Sequence, residues 1–293
     1  MILFFMSAWA LDRVEGADTL ALGSTTTANP YATGGITGNP AVIGTEKRYN
    51  FGGAFSYGGR GVHWQATAID SLTSVLAFGL AYSGDRFNPP LTEAELPGWA
   101  VPGQEISNRK QTNTVNFALA LPTADRRFVG GIGGALSFFN NDRGGKGTTG
   151  NLTGGLAYRP DPRVSIGLTA RNLLPVADPR QERPLELLGG VWLGELGVAA
   201  FSVDGGARID SSKPLLLATG LELSPSETSA LRTGWRYDEG MNYVSLGAGA
   251  GNPDGSIDIG IQAPTNRLTQ PIDWTFQLSL RFKAPNIDDV RPD

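Results

Sequence analysis

The residues able to do chemistry in this chain are few. It holds one histidine, His63, and no cysteine among its 293 residues, which excludes thiolate or imidazole zinc sites and leaves no disulfide to staple the fold. A Ser/His/Asp centre would have to use His63 with partners from distant segments, and a lone histidine is more often a polar wall residue than a catalyst. The glycine runs "GGIGGA" (130 to 135) and "GAGAG" (247 to 251) are not followed by a helix, so neither has the scaffold that phosphate binding requires. Asn140, Asn141 and Asp142 offer oxygen ligands for Ca²⁺ or simply a turn, and the sequon at Asn151 falls within a strand pattern, where glycosylation has no meaning. No catalytic residue, metal or cofactor is expected, and the chain does not read as an enzyme. What remains is a set of charges embedded in otherwise apolar rhythms: Arg171, Glu222, Arg232, Arg236, Asp238, Asp258 and Arg281. The arginines suit an anionic headgroup or carboxylate. Alternatively, they pair with Glu222, Asp238 and Asp258.

The elements that carry these charges follow a period of two. "WTFQLSLRF", Trp274 to Phe282, alternates Trp, Phe, Leu, Leu and Phe with Thr, Gln, Ser and Arg, the side-chain period of a β-strand. The same rhythm runs through "YNFGGAFSY" (49 to 57), "VHWQATA" (62 to 68), "LAFGLAY" (76 to 82), "VNFALAL" (115 to 121), "FVGGIGGALSF" (128 to 138) and "LTGGLAY" (152 to 158). It continues through 164 to 170, 185 to 193, 196 to 203, 215 to 223, 231 to 237, 243 to 250 and 257 to 261, giving about fourteen strands, close to the length that spans a bilayer as a tilted strand. Aromatics gather at strand ends, as interfacial girdles do. The opposite faces carry Gly, Ala, Ser, Thr and Asn, too small or polar to form a second core.

The connections alternate in length. Asp70-Ser71, 122 to 126, 159 to 163, Gly194-Glu195, 224 to 228 and 252 to 255 read as tight turns rich in Pro, Asp and Gly. Segments 84 to 111, 140 to 150, 172 to 184, 204 to 213 and 263 to 272 read as longer loops, with 58 to 61 and 238 to 242 as short exceptions on that side. Short turns at one rim and long loops at the other predict an all-β, antiparallel transmembrane barrel of the bacterial outer membrane. Paired sandwiches or a propeller are the soluble alternatives, disfavoured by the strand lengths and the girdles. The 40 glycines and 19 prolines exclude a helical protein. The charge of -4 and the isoelectric point near 5.2 argue against a nucleic-acid binder. Mean hydropathy of -0.14 fits a barrel as well as a soluble protein, because half of each strand faces a polar interior.

Residues 1 to 10, "MILFFMSAWA", read as the remnant of a signal peptide ending in an A-x-A site, with a buried apolar N-terminus as the alternative. Segment 11 to 48, rich in Gly, Thr, Asn and Pro, is expected to plug a lumen that the small inward side chains leave unfilled, or else to form a disordered tail. By parity, His63, Gln65, Asn116, Arg159 and Gln277 face inward along with the seven charged residues above, since a charge facing lipid costs ~2 to 4 kcal/mol at the midplane.

"PYATGGITGNPAVIGT" (30 to 45) places Asn39-Pro40-Ala41 shortly before the first strand, and "GLTARNLLP" (167 to 175) and "LRTGWRYDEG" (231 to 240) follow later. In these stretches the chain resembles the FadL-type long-chain fatty-acid transporters and the related PorV-type barrels. The resemblance implies a fourteen-stranded barrel with an N-terminal luminal plug carrying Asn39, Pro40 and Ala41. It also implies a closing strand, with Trp274, Phe276 and Phe282, read by the barrel-assembly machinery. The chain departs from the family in its shortness, in Val42-Ile43 after the NPA and in the 283 to 293 tail, and no ligand-contacting motif matches residue by residue. The function implied is passive transport of hydrophobic or amphipathic small molecules. The alternative is a PorV-like scaffold or docking subunit of a secretion or motility complex. Membrane lipid and lipopolysaccharide would surround the wall, and a hydrophobic ligand or a protein partner at the periplasmic tail or outer loops would complete the set.

Overall fold

A computed structural model describes residues 15–58, 61–87, 110–141, 145–174, 184–209, 211–252, 254–268 and 274–283. The expected signal-peptide remnant, most of loop 84 to 111, Asp142 and the tail from 284 onward lie outside the described residues.

Fourteen antiparallel strands close into one barrel: β1 Tyr49–Gly58, β2 Gly61–Asp70, β3 Ala77–Phe87, β4 Lys110–Pro122, β5 Phe128–Asn141, β6 Gly145–Asp161 and β7 Val164–Arg171, followed by β8 Glu186–Leu196, β9 Ala199–Arg208, β10 Leu215–Ser226, β11 Ser229–Asp238, β12 Met241–Asn252, β13 Gly255–Pro264 and β14 Thr275–Lys283. Each strand pairs with its sequence neighbours, and β1 with β14. Closure leaves no edge of unpaired N–H and C=O groups. The strand count and the antiparallel closure are those that the alternation predicts. The two faces sort as polarity requires: Phe51, Phe55, Phe78, Phe117, Leu278 and Phe282 are exposed on the outside, whereas Ser56, His63, Ala81, Asn116 and Asp258 are buried. No helix among the described residues is long and apolar enough to cross a membrane, and the outward apolar belt does the spanning instead.

Several boundaries differ from the sequence reading. Segment 140 to 150 is not a loop, because β5 and β6 run on to Asn141 and from Gly145. Asn140 and Asn141 therefore belong to a strand. Likewise β9 continues to Arg208, which puts Asp204 on the wall. The turn expected at Gly194-Glu195 falls instead at Gly197-Val198, after a register shift between Leu193 and Leu196, and Gly197 takes the left-handed backbone (φ 69°) that the turn needs. After β2 the chain bends over residues 71 to 76, with the Asp70 carboxylate accepting from the Leu72 and Thr73 amides at 3.0 Å each.

Residues Glu15 to Thr45 lie inside the barrel and are almost wholly buried. Helix α1, Ala17–Ala21, turns Ala17 and Ala21 to one side, as an i, i+4 spacing does. There they meet inward glycines. A Cβ on Gly260 would stand 2.8 Å from the Ala17 carbonyl oxygen, and one on Gly247 would stand 2.5 Å from the Ala21 Cβ. The segment then passes β11 to β7 and crosses to β3 to β6 as two 3₁₀ turns, Thr33–Ile36 and Pro40–Gly44. Here the one apolar core of the described residues forms, with Ile36, Val42 and Ile43 against Ile69, Ala77, Ala118, Ala120 and Val129. Each of the buried Ile and Val side chains contributes ~1.5 to 3 kcal/mol.

Candidate functional site

Among the described residues, the predicted polar and charged side chains converge in the lumen, and the irregular backbone of the segment there needs partners. A buried segment without helix or strand has amide and carbonyl groups that must be satisfied from elsewhere. The wall supplies them. Asp204 Oδ2 accepts the Thr26 and Thr27 amides at 2.8 and 2.9 Å. Arg171 Nε donates to the Gly38 carbonyl at 2.8 Å and its Nη2 to Thr26 Oγ1 at 3.0 Å. Gln65 and Gln277 both donate to the Glu15 carbonyl at 2.7 Å, and Ser245 donates to the Ala21 carbonyl at 3.1 Å.

The Asn39-Pro40-Ala41 motif has a local reason. Asn39 Oδ1 accepts the Ala41 amide at 3.1 Å, capping the 3₁₀ turn, while Pro40 occupies a first-turn position that needs no donor. Asn39 Nδ2 donates to the Thr27 carbonyl at 2.7 Å and to the Leu156 carbonyl on β6 at 3.1 Å. One fully buried side chain thus ties two stretches of the segment to the wall.

The charged residues form two clusters. Toward the short-turn rim, Arg232 reaches Glu222 at 2.5 Å and Asp258 at 2.7 Å, and Arg281 reaches Asp18 at 3.0 Å and Asp258 at 3.6 Å. Toward the loop rim, Arg208 reaches Glu186 at 2.9 Å and Asp238 at 2.7 Å, with Arg171 3.7 Å from Glu186. Pairing therefore dominates: Glu222 and Asp258 meet Arg232 and Arg281 as expected, and Asp18, Glu186 and Arg208 join as further partners. Asp238 pairs with Arg208. Arg236 reaches Gln262 at 3.2 Å and Ser24 at 3.4 Å and lies over the Tyr243 ring. His63 is held by Asp85 at 2.6 Å, which makes it a structural wall residue. Trp274 precedes β14, 6.2 Å from Phe276, and Phe276 and Phe282 face outward.

Asp18, Glu46, Arg48, Asp85, Glu186, Asp204 and Arg208 were not singled out by the sequence, although Asp204 and Arg208 share the two-residue parity of "SVDGGAR". Arg48, just before β1, has a buried Nε and Nη2 with no hydrogen-bond partner among the described residues. Burial, with the nearby Arg281 charge, lowers its pKa to about 10. At the loop-side turn, burial and then Asp238 push the Glu239 carboxyl up.

Two cavities remain beside the segment. One of about 620 Å³ opens at the short-turn rim, with Arg48, Trp192, Arg232, Asp258 and Arg281 in its walls. The other, of about 290 Å³, lies toward the loop rim beside Arg171, Asn172, Glu186 and Arg208.

No protein-family model matches the chain, and no curated protein does. Solved structures do match in fold. The Ralstonia pickettii toluene transporter TbuX aligns with a TM-score of 0.69 at 12% identity over 92% of this chain and 98% of its own. A Pseudomonas aeruginosa FadL homologue aligns at 0.64, with 12% identity over 91% and 98%, and the P. putida toluene transporter TodX at 0.60, with 11% over 92% and 96%. The closed barrel, its apolar belt and these alignments agree: the chain has the fold of the FadL-type β-barrels of the bacterial outer membrane.

Proposed function

We propose that this barrel is a passive transporter of the outer membrane, passing small hydrophobic or amphipathic molecules around the luminal segment Glu15 to Thr45. The observation that carries the reading is the pair of cavities, one toward each rim, separated by a segment held to the wall mainly by side-chain hydrogen bonds rather than by ladder pairing. Such bonds exchange at modest net cost, ~0.5 to 1.5 kcal/mol each when neutral, so the segment can shift while the wall stays closed. The larger cavity mixes charged groups with Leu22 and Trp192, a lining suited to amphipathic rather than purely hydrocarbon cargo. Solved structures of the same fold include transporters of toluene and channels for monoaromatic hydrocarbons, which supports the same class of role.

A scaffold role is the second reading. It is favoured by the tight β11 to β12 connection at the rim opposite the short turns, residues 239 to 240, which leaves the ends of these two strands within reach of another protein. Deleting residues 15 to 45 separates the two. A transporter should then show raised single-channel conductance in planar bilayers. Unchanged conductance in a deletion variant that still assembles would count against transport.

A further inference from the structure

The cavity at the short-turn rim holds as many acids as cations, yet Arg48 Nε and Nη2 are buried there with no hydrogen-bond partner among the described residues. Its carboxylates are already engaged: Asp18 by Arg281, Asp258 by Arg232 and Arg281, Glu222 by Arg232, and Glu46 by Arg159. Glu227, the remaining acid on the lining, sits exposed on the turn after β10. Arg48 is left over, and Lys283 stands at the cavity's edge on the last position of β14. Arg281 also keeps a buried Nε without a partner. An arginine at a surface normally swings its head into water, since the stem is flexible and the guanidinium well solvated. Arg48 does not do so, since its Nε and Nη2 are buried; its backbone is fixed at the rim by Ser71, whose Oγ accepts the Arg48 amide and whose amide donates to the Arg48 carbonyl, both at 2.9 Å.

We infer that Arg48, with Arg281 and Lys283, forms a binding site for an oxyanion, a carboxylate or a phosphate, in the 620 Å³ cavity at the short-turn rim. A guanidinium presents a planar fork of donors that matches two oxygens of such a group. The unpartnered Nε and Nη2 of Arg48 are an adjacent pair of that fork. The buried Trp192 on the far side of the cavity offers an apolar surface to the body behind the anionic head. The site is an equilibrium binding site and does not depend on passage through the barrel.

The test is calorimetric titration of the full chain in detergent with inorganic phosphate, with benzoate, and with mixed micelles containing phosphatidylglycerol. The expected result is saturable binding of at least one of the three, weakened on the order of 10- to 100-fold by Arg48→Gln, the range for loss of a charge-assisted contact. Binding by phosphate or benzoate assigns the site to a soluble anion, and binding by the micelles alone assigns it to a lipid headgroup. Arg127→Gln, which removes an exposed guanidinium from the turn between β4 and β5, should bind as the wild type does. Should Arg48→Gln fail to assemble, Arg48→Lys keeps the charge without the fork and has to bind several-fold more weakly. No saturable binding by the wild type, or equal binding by an assembled Arg48 variant, overturns the assignment.

Discussion

Asp204 gives the sharpest test of how the luminal segment is held. Its Oδ2 accepts both the Thr26 and the Thr27 amides, and the residue is only 6% exposed, so Asp204→Ala would strand two buried donors. Charge-assisted hydrogen bonds contribute ~1.5 to 3 kcal/mol each, ~3 to 6 together. Removing a buried carboxylate also recovers part of its desolvation penalty, a few kcal/mol after relaxation. The net cost should be ~2 to 3 kcal/mol, and Asp204→Asn, which keeps one acceptor oxygen in place, should cost ~1. In urea unfolding from lipid vesicles, with slopes of ~1 to 3 kcal/mol/M, the alanine variant should lower the midpoint by roughly 1 M and the asparagine variant by less. Amide hydrogen exchange should report the cause, with protection lost at Thr26 and Thr27 while the β9 ladder stays protected. An unchanged midpoint with unchanged protection at these two amides would refute the claim that Asp204 anchors the segment.

Two further outcomes follow from the wall and from the loop-side turn. Leu278 is outward-facing in β14, opposite Phe55 and Ile259, so Leu278→Arg should lower stability in vesicles by ~2 to 4 kcal/mol, the cost of a lipid-facing charge near the midplane; a shift within ±0.5 kcal/mol, normal for a water-exposed site, would contradict the membrane belt. Glu239 has its pKa raised in the folded state by burial and by Asp238, against the opposing pull of Arg208, so folding disfavours its charged form. Glu239→Gln should therefore be more stable than the wild type at neutral pH, with the gain disappearing as pH falls through the raised value to below the ordinary carboxylate range near ~4.3; parallel unfolding curves at neutral and acid pH would show the opposite.

How far the sequence could be read depended on where the lipid is. Between the girdles every outward position must be apolar, so alternation marked Phe51, Phe55, Leu80, Phe117 and Leu278 as one face and placed Arg232, Asp258 and Arg281 on the other. Past the girdle that constraint disappears. In the β5 to β6 hairpin, Phe138 faces Thr148 in the register, and the outward residues beyond it are Asn140, Lys146 and Thr148. Polar on both faces, 140 to 150 looks like a loop, yet its backbone continues the ladder. The same loss of contrast hid Asp204 and Arg208 at the end of β9. The charge pairs were legible only in part: strand parity says which face a residue takes but not its height along the barrel axis, so it grouped Arg232 and Arg281 with Glu222 and Asp258, which they meet, but gave no sign that Arg208, two strands away, meets Asp238.

The luminal contacts also bear on how such a barrel would open. Ejecting the whole segment would strand the acceptor Asp204, the donors Arg171, Gln65 and Gln277, and the paired ions Asp18 and Arg281 at once. At ~1 to 3 kcal/mol for each unsatisfied buried group, that sum exceeds what a small ligand can supply by differential binding. Movement confined to Thr25 to Asn29 breaks fewer bonds, chiefly those to Asp204, Ser202 and Asn39, and leaves α1 seated on Gly247 and Gly260. The apolar core around Val42 and Ile43 would hold the other end. Were the proposed transport to run between the two cavities, the cheapest route would follow β7 to β9, where Gly167 and Gly190 bring the wall backbone against Thr27. Bulky side chains there would press on the segment, whereas the same change on an outward position would only meet lipid.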